Sequence, residues 1–264
     1  MKKVLIFGGN GFVGSHLKGE RSSLRVNKLH ELLVEIKRKK PEVIINCIGR
    51  TGENNTDDCD QFPTRTLEAN TFVPFLFAEA AIRTGVKLVH VSSGCMFHGS
   101  EVCEIGEWEN PNFFHLFYSR TKIYAEASLT LLASSRLANI LIVRPRIPFF
   151  NAKHPKDILY KIQRFKKVID FPNSMTYLPD FAKAVSHLID IDARGVYNIV
   201  NPKPLTYASI LQKFFKRRVP EMRYQDLPMP RTNLKLSCKK LIESGFEPMS
   251  TAAAIQEGLK RKRI

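Results

Sequence analysis

No run in this 264-residue sequence approaches the ~20 consecutive apolar residues that a membrane-spanning helix requires; the longest, such as Val43 to Ile48 and Ile140 to Val143, are far shorter. The start, Met1-Lys2-Lys3, passes directly into a strand-like segment, without the apolar core and small-residue cleavage site of a secretory leader. Cysteine is scarce as well. Cys47, Cys59, Cys95, Cys103 and Cys238 make five, an odd number with no CxxC pair, which argues against a disulfide framework and a structural zinc site. A reducing compartment, most simply the cytoplasm, is expected, with no membrane partner and no metal. Glycine and proline, 14 and 15 residues, are too few for a fibrous or low-complexity chain. Negative charge is also in short supply: 41 basic against 25 acidic residues leave a formal charge of +16. The basic blocks at 35–40, 164–167 and 259–264 lack the interleaved aromatics of a base-stacking surface, so they are assigned to solvated helix faces and a tail. No nucleic-acid partner is expected, and the same charge suits a rim for an anionic substrate.

What the sequence does have is alternation of strand and helix patterns. "KVLIF" (3–7) is a strand followed by the glycine turn "GGNGFVG" and a helical pattern. An amphipathic segment from about Lys28 to Lys40 stops at Pro41 and leads into the buried strand "EVIINCIG". A helix "TLEANTFVPFLFAEAAIRTG" ends at Gly85 before the strand "KLVHVSS", and the helix "FYSRTKIYAEASLTLLAS" precedes the strand "ANILIVRP". Later helical stretches are "KDILYKIQRFKK", "FAKAVSHLIDI" and "YASILQKFFK", with "GVYNIV" as a strand. The fold expected is α/β, a Rossmann-like doubly wound parallel sheet with a small C-terminal substrate-binding lobe. Residues 1–145, joined by 176–200, form the dinucleotide-binding domain; 146–175 and 201–264 form the lobe.

The glycine spacing carries the first chemical signal. Gly8 makes the tight turn, Gly11 lets the backbone approach a pyrophosphate, and Gly14 allows close helix–strand packing, with Asn10, Phe12 and Val13 completing the loop. The N-terminus of the following helix would receive the phosphate charge. About 20 residues on, where an acidic residue would bind the ribose of NAD, stand Arg25 and Lys28; NADPH is favoured over NADH.

Tyr118 and Lys122 form a YxxxK at helical spacing, which puts a phenol and an ammonium on one face, one turn apart. A phenol beside a cation can donate its proton to a carbonyl being reduced. The combination of GGNGFVG, "NCIG" at 46–49, Asn70, Ser93 at a strand end, and Tyr118 with Lys122 resembles the extended short-chain dehydrogenase/reductase family. Within it, "NCIGRTG", "SSGCMF", "FYSRTK", "VRPRIP", "PNSMTYL" and "GVYNIVNP" are similar to the nucleotide-rhamnose synthases, bifunctional UDP-4-keto-6-deoxyglucose 3,5-epimerase/4-reductases. The dTDP-4-dehydrorhamnose reductases and GDP-fucose synthases are more distant likenesses.

The resemblance implies roles. Ser93 and Tyr118 hydrogen-bond the C4 carbonyl, Tyr118 donates the proton, and Lys122 assists the phenol and holds the nicotinamide ribose. Cys47, Ile48, Gly49, Asn70 and Arg146 join the glycine turn around the cofactor. Thr51, Gly52, Asn173, Ser174, Met175 and Arg231 face the nucleotide-diphosphate sugar. Cys95 would move the protons at C3 and C5, which the C4 ketone acidifies. Lys161, with His154 as the fallback, would serve as the acid on the opposite face. A separate 4,6-dehydratase would supply the substrate, and a homodimer is one assembly open to the chain. Two other readings stay open: a 4-ketoreductase that does not epimerise, and a non-catalytic NADP-binding regulatory subunit like the β subunit of methionine adenosyltransferase.

Overall fold

The computed structural model describes residues 2–53, 55–99, 103–150, 154–227 and 230–261. In chain order the strands are β1 (Val4–Phe7), β2 (Glu20–Arg21), β3 (Val43–Asn46), β4 (Lys87–Val91), β5 (Ile140–Arg144), β6 (Pro148–Phe149), β7 (Val168–Ile169), β8 (Asn173–Tyr177), β9 (Gly195–Asn198), β10 (Asn201–Leu205) and β11 (Glu221–Met222). The α-helices are α1 (Leu29–Lys39), α2 (Pro63–Leu67), α3 (Val73–Thr84), α4 (Phe117–Ser134), α5 (Ile158–Ile162), α6 (Leu178–Asp190), α7 (Tyr207–Phe215), α8 (Lys239–Glu243) and α9 (Thr251–Lys260). No helix among the described residues is long and apolar enough to cross a membrane.

The chain forms two compact units. The first comprises Met1–Ser93, Phe114–Arg144 and Val185–Tyr197; the second comprises Gly94–Phe113, Pro145–Ala184 and Asn198–Ile264. The segment 94–113, assigned from the sequence to the dinucleotide-binding domain, therefore clusters with the second unit, and the boundary falls between Ser93 and Gly94.

The first unit carries a six-stranded sheet in the order β2-β1-β3-β4-β5-β9, with the pairs from β2 to β5 parallel. Strands covered on both faces read as unbroken apolar, β-branched runs, and β3, β4 and β5 are buried at every position. The chain leaves β1 toward β2 on one side and leaves β3 toward β4 on the other. That makes the C-terminal ends of β1 and β3 a topological switch point, where such sheets take their ligands. Phe7, at the end of β1, meets Phe77 of α3 edge-to-face at 5.0 Å, and both are fully buried in the unit's core. Such a pair contributes ~1 kcal/mol beyond its buried area, and it anchors the strand from which the glycine turn departs. Gly85 ends α3 in the left-handed conformation, φ 70°, with its N–H donating to the Ala81 carbonyl.

The helix expected after the glycine turn is not formed. A single 3₁₀ turn, Gly14–His16, stands in its place, and Leu17 is already extended. The cause lies in the length of chain available: β2 pairs Glu20 with Leu5 and Arg21 with Ile6, so only three residues separate the 3₁₀ turn from the sheet. Gly19, at φ 153°, allows the return against Val4, whose side chain lies 3.0 Å from where a Cβ would be. The second strand is thus a two-residue pairing, Glu20–Arg21.

The second unit has a three-stranded sheet, β10-β8-β6, and a two-stranded one, β11-β7. Its core gathers Phe149, Leu159, Met175, Tyr177, Ile210 and Ile255 among others, all fully enclosed. The helical pattern in "KDILYKIQRFKK" yields only the short α5. The Asp157 side chain caps its start by accepting from Leu159 N at 2.9 Å, and bonds from Arg164 N to Lys161 O and Phe165 N to Ile162 O tighten and end it.

Candidate functional site

The glycine turn is built for close backbone approach. Gly8 sits at φ 73°, and a Cβ there would lie 2.8 Å from backbone atoms of Cys47 and Ile48, so the turn after β1 rests directly on the loop after β3. A Cβ on Gly14 would lie 2.5 Å from the Gly8 carbonyl oxygen, whereas one on Gly11 would meet that atom alone, at 3.3 Å. Asn10 and Gly11 are exposed, and Phe12 and Val13 are half-buried. The loop therefore presents open backbone at Gly11, the space a dinucleotide pyrophosphate needs, and in this respect its residues fit a dinucleotide cofactor. What they lack is the helix N-terminus, since the helix is a single 3₁₀ turn.

A cation stands in this region that counting along the sequence did not find. The stem of Arg21 lies over Gly9, where a Cβ would meet its Cγ at 2.8 Å, and its guanidinium donates to the Ser15 carbonyl at 2.9 Å. Arg21 is the last residue of β2, the strand-end position that faces the cofactor ribose in dinucleotide folds. Counting ~20 residues assumes a full-length helix; the shortened one moves the position forward from Arg25 and Lys28 to Arg21. The sequence signal available was the brevity of the segment itself.

Beyond β3, Asn46 shapes the loop Cys47-Ile48-Gly49: its Oδ1 accepts from Ile48 N at 2.9 Å, and its amide faces His90 Nδ1 at 3.3 Å. Gly49 lies between Asn70 Oδ1 and Lys122 Nζ, 3.4 and 3.5 Å from where its Cβ would be. Asn70 occurs in a π-helical turn, Glu68–Phe72, that joins α2 to α3, the kind of local widening that often marks functional positions. The wide turn directs two side chains onto one place. Asn70 Nδ2 donates to Thr121 Oγ1 at 3.2 Å, and Thr71 Oγ1 donates to the Thr121 carbonyl at 3.0 Å, clamping α4 between Tyr118 and Lys122. Asn70 also holds both backbone groups of Arg50, accepting from its N–H at 2.8 Å and donating to its carbonyl at 3.0 Å. Thr51 is half-buried. Gly52 sits at φ 73°, where a Cβ would collide with the Asn55 carbonyl, so the turn itself demands glycine there.

Tyr118 and Lys122 come together as the spacing predicts, one turn apart at the start of α4 and 5% and 4% exposed. Lys122 Nζ donates to the Val91 carbonyl at the end of β4, at 3.4 Å, and Ser93 follows two residues later, 6% exposed. Two ionisable neighbours of Lys122, His90 and Cys47, are held neutral. Burial, with the Lys122 charge second, holds the His90 imidazole well below its ordinary range, and burial pushes the Cys47 thiol up to about 12. Cys47 is thus an unreactive wall of the loop. One turn further along α4, Glu126 accepts from Arg144 Nε at 2.8 Å and from the Ser92 hydroxyl, a buried trio not anticipated from the sequence.

In the second unit the sequence-predicted residues separate by role. Cys95 is half-buried, and Arg146, 3% exposed, donates to it through NH1 at 2.8 Å. Arg146 also donates to Thr232 Oγ1 at 2.9 Å, to Asn173 Oδ1 at 3.1 Å and to the Thr232 carbonyl, so the guanidinium expected at the cofactor is committed to these partners. Asn173 extends the chain by donating to Asn233 Oδ1 at 2.9 Å. Ser174 Oγ accepts from Leu236 N at 2.8 Å, and Met175 is fully enclosed in the unit's apolar core. Lys161 is the half-buried penultimate residue of α5. His154 turns Nδ1 back onto its own loop, accepting from Lys156 N at 3.1 Å. Arg231 is half-buried, with its carbonyl held by the Tyr224 hydroxyl at 2.7 Å.

Comparison with known proteins gives a family match over residues 1–218, to the model described as the RmlD substrate binding domain. The chain is 27% identical to the Arabidopsis thaliana bifunctional dTDP-4-dehydrorhamnose 3,5-epimerase/dTDP-4-dehydrorhamnose reductase, over 93% of this chain and 88% of that protein. It is also 27% identical to the Arabidopsis trifunctional UDP-glucose 4,6-dehydratase/UDP-4-keto-6-deoxy-D-glucose 3,5-epimerase/UDP-4-keto-L-rhamnose-reductase RHM1, over 90% of this chain, but spans only 39% of that protein's length. Among solved structures, the L780 UDP-rhamnose synthase of Acanthamoeba polyphaga mimivirus superposes with a TM-score of 0.87 at 22% identity, over 97% of this chain and 98% of that one. The dTDP-4-dehydrorhamnose reductase of Bacillus anthracis, solved in complex with NADP, has a TM-score of 0.79 at 21% identity, over 98% and 96%.

Proposed function

Because the chain belongs to the RmlD substrate binding domain family, we propose that it is a nucleotide-sugar 3,5-epimerase/4-reductase. It converts a UDP- or dTDP-linked 4-keto-6-deoxyglucose to the corresponding L-rhamnose nucleotide with NADPH. The observation that carries this reading is the clamp of Asn70 and Thr71 on Thr121, which fixes Tyr118 and Lys122 beside the loop Cys47-Ile48-Gly49 at the switch point of the sheet. The cofactor, when bound, supplies hydride to C4. Tyr118 donates the proton to the C4 oxygen with Ser93 as the second hydrogen-bonding group, and Lys122 offsets the charge left on the phenol. Cys95 takes the protons at C3 and C5, acidified by the flanking ketone, and Lys161 delivers its own ammonium proton to the carbon from the other face; both groups then re-equilibrate with solvent. The 4-keto-6-deoxy pattern of the substrate is the product of a 4,6-dehydration, so an enzyme of that class acts before this one.

The reaction is tested by incubation with UDP- and dTDP-4-keto-6-deoxyglucose in D2O. Deuterium at C3 and C5 of an L-rhamnose product is expected, and Cys95→Ser should lower the incorporation by at least ~10²-fold, the effect of losing a general base. Reduction without incorporation would leave a 4-ketoreductase. Absence of turnover on either sugar would leave a cofactor-binding subunit.

Arg21 is the residue assigned to the 2′-phosphate of NADPH, as an arginine fork suits a phosphate and would supply the positive charge that the missing helix does not. Arg21→Glu is expected to shift the NADPH-to-NADH preference in binding by at least ~10-fold toward NADH, about the value of one charge-assisted contact. Titration of cofactor fluorescence checks this, and an unchanged ratio would return the role to Arg25 or Lys28.

A further inference from the structure

Arg146 holds its charge where no carboxylate offsets it. Its guanidinium is 3% exposed, Nε is buried without a hydrogen-bond partner, and no carboxylate pairs with it among the described residues. The partners of NH1 and NH2 are a threonine hydroxyl, an asparagine oxygen, a backbone carbonyl and the Cys95 sulfur. Taking a cation out of water costs several kcal/mol, which neutral acceptors repay only in part. Tyr207 and Cys95 are ionisable groups in its neighbourhood. Burial pushes the Tyr207 phenol up to about 12, so it stays neutral at ordinary pH. The Cys95 sulfur accepts from Arg146 NH1 at 2.8 Å, and a neighbouring arginine is the kind of group that favours a thiolate.

We infer that Arg146 is the counter-ion of a Cys95 thiolate, and thereby the positioning residue of the base that moves the C3 and C5 protons. This deepens the epimerase reading above and rests on it. Burial supports the assignment: the cation is enclosed, while Cys95 is only half-buried, so a substrate can reach the sulfur without displacing the arginine. The surrounding backbone keeps the two residues in register. Gly94 N donates to the Pro145 carbonyl at 2.9 Å, and Arg146 N donates to Thr176 Oγ1 at 2.9 Å. Gly94 itself has no room for a side chain. A Cβ there would lie 2.6 Å from Leu236 Cδ1 and 3.3 Å from Arg146 Cδ.

The proton balance is simple. The thiolate removes a proton from C5 or C3 and becomes a thiol. The electron pair of the C–H bond passes into an enolate with its charge on the C4 oxygen, and a proton delivered from the opposite face restores the carbon with inverted configuration. Reduction at C4 uses none of these protons, so Arg146 should act on exchange and not on the ketone chemistry.

The test reads the thiolate directly through its ultraviolet band at neutral pH. The full-length protein should show one thiolate more than Cys95→Ser, and iodoacetamide should label Cys95 at a correspondingly raised rate. Arg146→Met should abolish the band and slow both labelling and deuterium exchange by at least ~10-fold. Arg146→Lys, which retains the charge, should keep part of each and guards against misfolding of the methionine variant. A band absent from the wild type, or one that persists in folded Arg146→Met, overturns the inference. The two readings fail separately. An Arg146-dependent thiolate without deuterium incorporation would remove the epimerase and leave the ion pair, whereas incorporation without a thiolate would remove the ion pair and leave the epimerase.

Discussion

Tyr118→Phe is expected to lower ketone reduction by about 10²–10⁴-fold, the usual contribution of a positioned proton donor, while cofactor affinity stays within ~2-fold. The substitution deletes one oxygen from a side chain that is 5% exposed, so the packing of α4 is retained. The size of the effect follows from what surrounds Lys122. When Tyr118 gives up its proton, the charge left on the phenol appears one helical turn from an ammonium near which His90 and Cys47 are both held neutral by burial. At low dielectric the attraction between that charge and the ammonium is stronger than in water. Exchange at C3 and C5 depends on Cys95 and should survive in Tyr118→Phe. Single-turnover oxidation of NADPH, measured beside deuterium incorporation, separates the two steps. Unimpaired NADPH oxidation by the variant would take the donor role away from Tyr118.

The parts of this site visible in the sequence are those in which one residue type has one physical use. β3, β4 and β5 are legible because a strand covered on both faces reads as a predominantly apolar, β-branched run. Gly8 and Gly14 are legible because the turn and the close packing leave no room for a Cβ. Tyr118 and Lys122 are legible because four residues on a helix return to the same face. Arg21 was hidden because its position depends on the length of the preceding helix, and that helix is reduced to Gly14–His16 by the early return of the chain to β1. Arg144 was hidden for another reason. Charged residues are almost never fully buried unless paired, so a sequence gives it to the surface by default, and its partner Glu126 lies on a different element. Arg146 was singled out through the resemblance, but its contacts with Asn173 and Thr232, far along the chain, were not. Met175 stands in a word that resembles substrate-binding positions, and its burial in the core of the second unit is set by its place on a central strand, which the word alone does not show.

Glu126 did leave a trace, because it continues the four-residue spacing of Tyr118 and Lys122 along α4, and this placement makes Glu126→Gln the change with the largest expected effect on stability. Its carboxylate is 3% exposed, faces Arg144 at the end of β5 and accepts from Ser92, the residue before Ser93, just beyond β4. One side chain thus ties the helix that carries Tyr118 to the ends of two strands. Removing one partner of a buried pair leaves the other charge uncompensated, at a cost of about 3–5 kcal/mol, so Glu126→Gln should move the denaturant midpoint down by that equivalent. A double substitution, Glu126→Leu with Arg144→Met, removes both charges and should recover most of the loss, since well-packed apolar side chains replace such pairs at little cost. Recovery of stability need not bring recovery of activity. Without the bond to Ser92, the strand end that carries Ser93 loses its tie to α4, and kcat for reduction should remain depressed while the cofactor Kd returns to the wild-type value. If kcat returns together with stability, the trio serves folding alone, and the placement of Ser93 must come from the β4 backbone.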